Sequence, residues 1–294
     1  MVTMNQFQMT LGGKYLGWLR ESNDILDSVS ALHQRFKEDG YLLIRKLQPA
    51  NLVETARQHL INQLSIQGQI DTDFPLLNGV AKTSHRGGFF GGHKEMTRDD
   101  NFLDLVESPQ IMNFFDQFFG TTALTYDYKW LRVVPPKGFT GAHYDIVYMG
   151  RGTDNVLTCW TPIGDIPIEL GPLAILVGSH RFDIIKETYG QMDVDRDHVT
   201  GSFSNDPFEL IDKYGGQWQT TNFQVGDVLI FGMFTMHASL DNTTNRFRLT
   251  ADTRYQPANE PVDERWVGSE PIGHYAWQKG ETVPMHQARQ KWNV

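Results

Sequence analysis

Two residues apart in the run Gly141-Ala142-His143-Tyr144-Asp145 stand an imidazole and a carboxylate. In an extended chain side chains alternate with a period of two, so His143 and Asp145 address the same point. A third donor, His237, closes the apolar run VLIFGMFTMH, which reads as a buried strand whose last residue reaches a pocket. Two histidines and one carboxylate make the facial triad suited to a non-haem ferrous ion, and such a triad leaves three coordination positions open. A bidentate 2-oxoacid fills two of these and dioxygen the third. If 2-oxoglutarate is that acid, its far carboxylate needs a cation, best a planar fork offering two parallel hydrogen bonds. Past His237 the chain runs ASLDNTTNRFR, in which the polar DNTTN reads as a hairpin turn that folds an arginine-bearing strand back beside His237. Arg246 and Arg248 share strand parity, and alternation does not choose between them. Ser239, two residues past the histidine, is placed to add a hydroxyl to the same carboxylate.

The elements that must carry these residues follow from periodicity. Ile25, Leu26, Val29, Leu32 and Phe36 fall at helical spacing, after Asn23 or Asp24 as a cap and before Gly40 as a stop. Residues 41–47 (YLLIRKL) read as a short buried strand, and Pro49 is placed to open a second helix through Leu52, Val53, Ala56 and Leu60. Residues 66–94 are rich in Gly and turn formers and read as a long loop. A third helix follows Ser108-Pro109, with Ile111, Phe114, Phe115 and Phe118 on one side and Gly120 at its end. From about 122 the pattern becomes that of strands: segments near 122–134, 142–148, 155–161, 172–177, 217–223, 227–234 and 246–255 are short and rich in Val, Ile, Thr and aromatics. Many short strands behind a helical opening argue for a sandwich or barrel with helices over one face. The stretch 183–212 carries eight acidic residues against two basic ones and reads as a solvated insertion or, in an enzyme, a lid. The tail holds Trp266, Trp277 and Trp292, whose rings need burial on the domain or on a partner subunit, so a homodimer is permitted.

The whole chain constrains the function class. At 294 residues, 40% apolar and 21% charged, it is a globular protein able to bury a large core without staples. A formal charge of −9 argues against a general nucleic-acid binder, which needs a basic face. The single cysteine, Cys159, excludes an internal disulfide and suits a reducing compartment. No stretch approaches the apolar length of a membrane span, and neither end of the sequence carries a recognisable address, so a cytoplasmic protein is expected.

Taken in order, FKEDGYLLIRKL, HYD, LTCWTPIGDIP, GPLAILVGSHR, GDVLIFGMFTMHAS, LDN and FRLTADTRYQ resemble the phytanoyl-CoA dioxygenase family of Fe(II)/2-oxoglutarate-dependent oxygenases, over roughly residues 32–257. The resemblance implies a mainly β fold with flanking helices, a double-stranded β-helix (jelly-roll, cupin-like) core. It implies one oxygenase domain over 1–294: a helical part about 20–120, the core about 121–257 and an extension 258–294. Residue by residue, His143, Asp145 and His237 fall on the iron ligands. The family's arginine lies eleven residues past its last histidine, which selects Arg248, and Ser239 falls on a position that often touches the co-substrate. The implied cofactors are Fe(II), 2-oxoglutarate and O2. The implied reaction oxidises, most simply hydroxylates, an unactivated C–H bond of a small organic molecule and releases succinate and CO2. Tyr144 departs from members with Gln between the ligands, and 66–94 and 183–212 do not align. Asp145 argues against halogenation, which needs the carboxylate position vacated. Desaturation, cyclisation, epimerisation and endoperoxidation share the same iron site.

Two other readings use the same triad: a redox-neutral zinc hydrolase or isomerase, with no use for Arg248, and a non-catalytic metal-bound scaffold. Tyr126, Tyr128 and Trp130 alternate as strand residues with one buried face should; Tyr128, Trp130, Tyr144 and Trp160 are the candidate substrate wall. His180 reads as a loop-ordering residue, and Cys159, alternating away from Trp160, as a buried thiol. His85 and His93, with Lys82 and Arg86, sit in a Gly-rich loop that is solvated or meets an anionic substrate group. A CoA thioester wants clustered cations; Lys82, Arg86, Lys94 and Arg98 offer some and the acidic insertion none, which favours a free small molecule such as a natural-product intermediate.

Overall fold

The computed structural model of the chain describes residues 1–84, 88–89, 94–275 and 281–294. His85, Arg86, His93 and Trp277 lie outside the described residues. Short strands, in chain order β1 (Leu16–Trp18), β2 (Tyr41–Ile44), β3 (Gly88–Phe89), β4 (Ala123–Thr125), β5 (Trp130–Val134), β6 (Leu157–Pro162), β7 (Leu173–Val177), β8 (Gln217–Thr220), β9 (Val228–Gly232), β10 (His237–Ser239) and β11 (Arg248–Pro257), build two sheets. The larger runs β2-β9-β6-β11-β5-β3, with β4 paired to the end of β11; the smaller runs β10-β7-β8-β1. Every neighbouring pair in them is antiparallel except β8 with β1. Tyr41, Trp160, Leu229 and Phe231 of the larger sheet pack with Leu173 and Ile175 of the smaller, so the sheets face one another as a jelly roll.

Alternation gives the larger sheet a second buried face. Cys159, Ile230 and Tyr255 point outward against Ile111, Phe114, Phe115 and Phe118 of a helix over Pro109–Phe119. Leu131, Val133, Leu249 and Ala251 pack under the helices Ala50–Ile66 and Asp100–Val106. The long helices are then α1 (Val29–Asp39), α2 (Ala50–Ile66), α3 (Asp100–Val106), α4 (Pro109–Phe119), α5 (Pro207–Tyr214) and α6 (Met285–Trp292). The Phe115 ring stacks on Tyr255 at 4.0 Å. Each such buried side chain contributes about 1.5–3 kcal/mol, which is why α4 docks although only eleven residues long. Ser108 caps α4 by accepting the N–H of Ile111, with Pro109 in its first turn. Among the described residues no helix is long and apolar enough to cross a membrane.

Several expectations are corrected. The first helix starts at Val29, not near 24: Asn23–Ile25 form a separate 3-10 turn, and Ser28 caps α1 by accepting from Ala31. Gly40 ends α1 at φ 80°, and a Cβ there would also collide with the ring of His180, so two constraints require glycine. Residues 142–148 are not a continuous strand; Ala142 and His143 make isolated bridges, and Ile146–Met149 turn into a helix. The run VLIFGMFTMH is likewise two elements: β9 ends at Gly232, and His237 opens β10 in the opposite sheet. The DNTTN segment is therefore a crossover between sheets, not a hairpin. Asn242 holds it by donating to the carbonyls of Pro135 and Arg246. The stretch 183–212 is no plain solvated loop: it folds into short helical turns that bury Ile185, Tyr189, Val194 and Asp195.

Candidate active site

His143 and His237 are joined through their backbones, each N–H donating to the other's carbonyl at 3.1 Å. This isolated bridge between His143 and the first residue of β10 sets the two rings side by side, with centroids 4.1 Å apart. Each Nδ1 lies against a carbonyl, that of Gly141 at 2.9 Å and that of Thr235 at 3.0 Å. A carbonyl only accepts, so Nδ1 carries the proton and Nε2 presents its lone pair. Both Nε2 atoms lie 3.7 Å from Oδ1 of Asp145, and the three donor atoms fall within 4.8 Å of one another. Burial, reinforced by the neighbouring His237, pushes His143 down to about 3. Burial also lowers His237. Burial alone would raise Asp145, but Arg254 and the two histidines, with a hydrogen bond from Thr158, hold it well below the usual carboxylate range. Two neutral imidazoles and an ionised carboxylate, all buried and convergent, are a donor set that fits a divalent cation.

The second feature is the inward face of β11, where Arg248, Thr250, Asp252 and Arg254 project by alternation. Arg248 Nε, Thr250 Oγ1, Asp252 Oδ1 and Arg254 Nε find no hydrogen-bond partner among the described residues. Native proteins rarely leave four buried polar atoms in one row without something to meet them. Arg248 is 1% exposed, donates through Nη1 to the Gly171 carbonyl, and is lowered to about 10 by burial and the neighbouring Arg132. Arg246 precedes the strand, is half-buried, and lies near Arg57 of α2 instead, so the shared parity does not extend to it. Ser239 sits in β10 with its Oγ accepting from the N–H of Thr140 at 2.8 Å.

Beside the triad opens a cleft of about 280 Å³ whose walls include Trp130, Arg132, Tyr148, Met149, Arg254 and His274. Tyr128 backs Trp130, centroids 4.7 Å apart, and both rings pack on Trp266 from the tail. Tyr144 and Trp160 are not brought to the cleft. Tyr144 lies between two residues that face the triad and so points the other way, donating to the Ser179 carbonyl at 2.7 Å and packing near Tyr189. Trp160 faces the sandwich interior but lies against Phe223, centroids 4.7 Å apart. His180 contacts the Lys37 carbonyl at 3.0 Å and orders the end of α1. Cys159 is buried under the helices, its thiol pushed up to about 12 by desolvation.

Sequence reasoning missed Arg254, Thr158, Arg132, Tyr148 and His274. Arg254 had a signal, the parity it shares with Arg248 along FRLTADTR. His274 had none, because only the fold of the tail carries it to the cleft.

The family model described as Phytanoyl-CoA dioxygenase matches residues 36–250. The 1-deoxypentalenic acid 11-beta-hydroxylase of Streptomyces exfoliatus is 24% identical over 249 residues, 80% of this chain and 83% of that protein. Its counterpart from Streptomyces arenae is 25% identical over 250 residues, with the same coverage of 80% and 83%. Among solved structures, EctD from S. alaskensis with 2-oxoglutarate and 5-hydroxyectoine superposes with a TM-score of 0.57 at 19% identity, over 90% of this chain and 91% of that one.

Proposed function

Because this chain belongs to the phytanoyl-CoA dioxygenase family, we propose that His143, Asp145 and His237 hold its ferrous ion and that Arg248, with Ser239, seats the far carboxylate of 2-oxoglutarate. The chain is an Fe(II)/2-oxoglutarate-dependent oxygenase acting on a small organic molecule, and its reaction is most simply the hydroxylation of an unactivated C–H bond, hydroxylation being what its relatives' names carry. The observation behind the residue assignment is the convergence of three buried donors beside a row of buried polar atoms that lack partners among the described residues. When bound, iron, 2-oxoglutarate and O2 supply the oxidising equivalent that converts C–H to C–OH, with succinate and CO2 as by-products.

The protein's part is positioning. The backbone bridge fixes the separation of His143 and His237, and the Gly141 and Thr235 carbonyls fix their tautomer. Arg248, anchored at one end on Gly171, presents a guanidinium whose Nε remains to be met. Trp130, Tyr148 and Met149 offer a substrate an apolar wall that excludes water, and Arg132, Arg254 and His274 give it polar edges. The cleft is small, and the relatives are named for an organic acid and not for a CoA thioester, so a free natural-product-like molecule suits it better.

The test is anaerobic addition of Fe(II) and then 2-oxoglutarate to the wild type, Arg248→Ala and Arg246→Ala, followed by oxygen and a succinate assay. The wild type and Arg246→Ala develop a weak visible charge-transfer band and slow succinate release. Arg248→Ala requires on the order of 10- to 100-fold more 2-oxoglutarate for both, the worth of a charge-assisted hydrogen bond. A redox-neutral zinc enzyme would show no band and would keep its activity in Arg248→Ala.

A further inference from the structure

Asp145 offers its two carboxylate oxygens to different neighbours. Oδ1 faces both histidines, 3.7 Å from each Nε2. Oδ2 accepts from Thr158 Oγ1 at 2.5 Å and from Arg254 Nη2 at 3.0 Å. Arg254 cannot follow a carboxylate that rotates. Its Nη1 is tied to the Asp252 carbonyl at 2.8 Å, its guanidinium lies 4.4 Å over the Trp130 ring, and its side chain is 2% exposed. A buried counter-charge alone would account for Arg254. It would not account for Thr158, a neutral donor one strand away aimed at the same oxygen. Two independent donors on Oδ2 and, among the described residues, none on Oδ1 specify orientation as well as charge.

Carboxylates ligate cations through one oxygen or through both. Oδ2 already commits both lone pairs to Arg254 and Thr158, so ligation through both oxygens would displace one of them and leave a buried N–H or hydroxyl without that acceptor, which is costly in a dry site. It would also occupy one of the three positions that a 2-oxoacid chelate and dioxygen need. We propose that Arg254, together with Thr158, is a positioning residue that holds Asp145 to one-oxygen ligation and so keeps the chelate position open; the inference rests on the assignment of His143, Asp145 and His237 as metal ligands. The pair acts on co-substrate binding more than on metal binding, because the three donor atoms remain in its absence.

The experiment uses the full chain, Co(II) or Fe(II) as the metal and 2-oxoglutarate as the ligand, without oxygen. The variants are Arg254→Met, Arg254→Lys and Thr158→Val; the last changes no charge and carries the decision if Arg254→Met fails to fold. All are expected to bind Co(II) stoichiometrically. At the metal-loaded site 2-oxoglutarate affinity falls by about 10- to 100-fold in Arg254→Met, the range for loss of an outer partner of a ligand. Thr158→Val weakens it in the same direction, Arg254→Lys recovers part of the loss, and the visible Fe(II) band at saturating 2-oxoglutarate is shifted or diminished. A purely structural role would lower thermal stability and leave that band unchanged. Unchanged affinity and band in both Arg254→Met and Thr158→Val overturn the proposal while leaving the ligand assignment intact. A wild type that shows no band overturns both.

Discussion

His143 and His237 can serve a cation only as neutral rings, and desolvation is the main cause that keeps them so, with His237 reinforcing it at His143. The ligand role proposed for them makes a sharp prediction. His237→Ala loses Co(II) affinity by more than the roughly 10- to 100-fold that a lost outer partner costs, measured by titration of the apo-protein. Desolvation acts on Cys159 in the opposite sense, since for a thiol the charged form is the deprotonated one. With its thiol pushed up to about 12 and no exposure, Cys159 resists alkylation in the native protein and reacts fully once the chain is unfolded. Native-state labelling followed by mass spectrometry decides this, and rapid labelling at neutral pH would contradict the burial. At this scale the sequence was legible where chemistry depends on residue type and short spacing, as with His143 and Asp145. It was less so for Tyr144 and Trp160, whose direction depends on which face of an element turns inward.

The elements least readable in sequence, the acidic stretch and the tail, prove to be each other's partners. Asp195 is fully buried and accepts from Arg265, from His274 Nδ1 at 3.0 Å and from the backbone of Tyr275 at 2.9 Å. Asp193 holds Arg151 at 2.6 Å, so acidic residues that read as a solvated run instead neutralise arginines beneath the tail. Breaking a buried pair by removing one partner costs about 3–5 kcal/mol. Asp195→Asn is expected to lower stability by that order and to expose the bond after Arg265 to trypsin, where the wild type is protected. Denaturant melts and a timed digest read the two effects. Farther along, Arg289 of α6 pairs with Glu209 of α5, and that hydrogen bond holds the Glu209 carboxyl below its ordinary value of 4.5. A carboxyl depressed in the folded state contributes stability that is complete above the unfolded value and is lost as pH falls through the folded one. Docking of α6 should therefore weaken only below about pH 4.5, the unfolded carboxyl value, and Glu209→Gln should flatten that dependence in a pH series of proteolysis or hydrogen exchange.

At the scale of the molecule we propose that the tail completes a single domain. Trp266 is fully buried against Tyr128 and Trp130, and Trp292 packs near Tyr189, so the extension shares the interior of the jelly roll, while the helical opening covers the outer face of the larger sheet. Such a chain should unfold in one cooperative transition, and a chain cut after residue 257 should lose the native near-ultraviolet signal instead of leaving a folded core. A calorimetric trace with two separated transitions would contradict this. The sequence by itself determined the donor types, the two-residue spacing of His143 and Asp145, three helices of the opening, though not Asp100–Val106, and the strand-rich character of the chain beyond about residue 122. These depend on periodicity and turn chemistry, which are local. Only the tertiary structure decided that His237 belongs to the opposite sheet from β9, that Arg254 and Thr158 grip Asp145, and that His274 reaches the cleft. Each of these joins residues far apart in the chain through sheet pairing, crossover direction or tail docking. Such contacts are fixed by the packing of whole faces against each other, and no short window of sequence contains both sides of that choice.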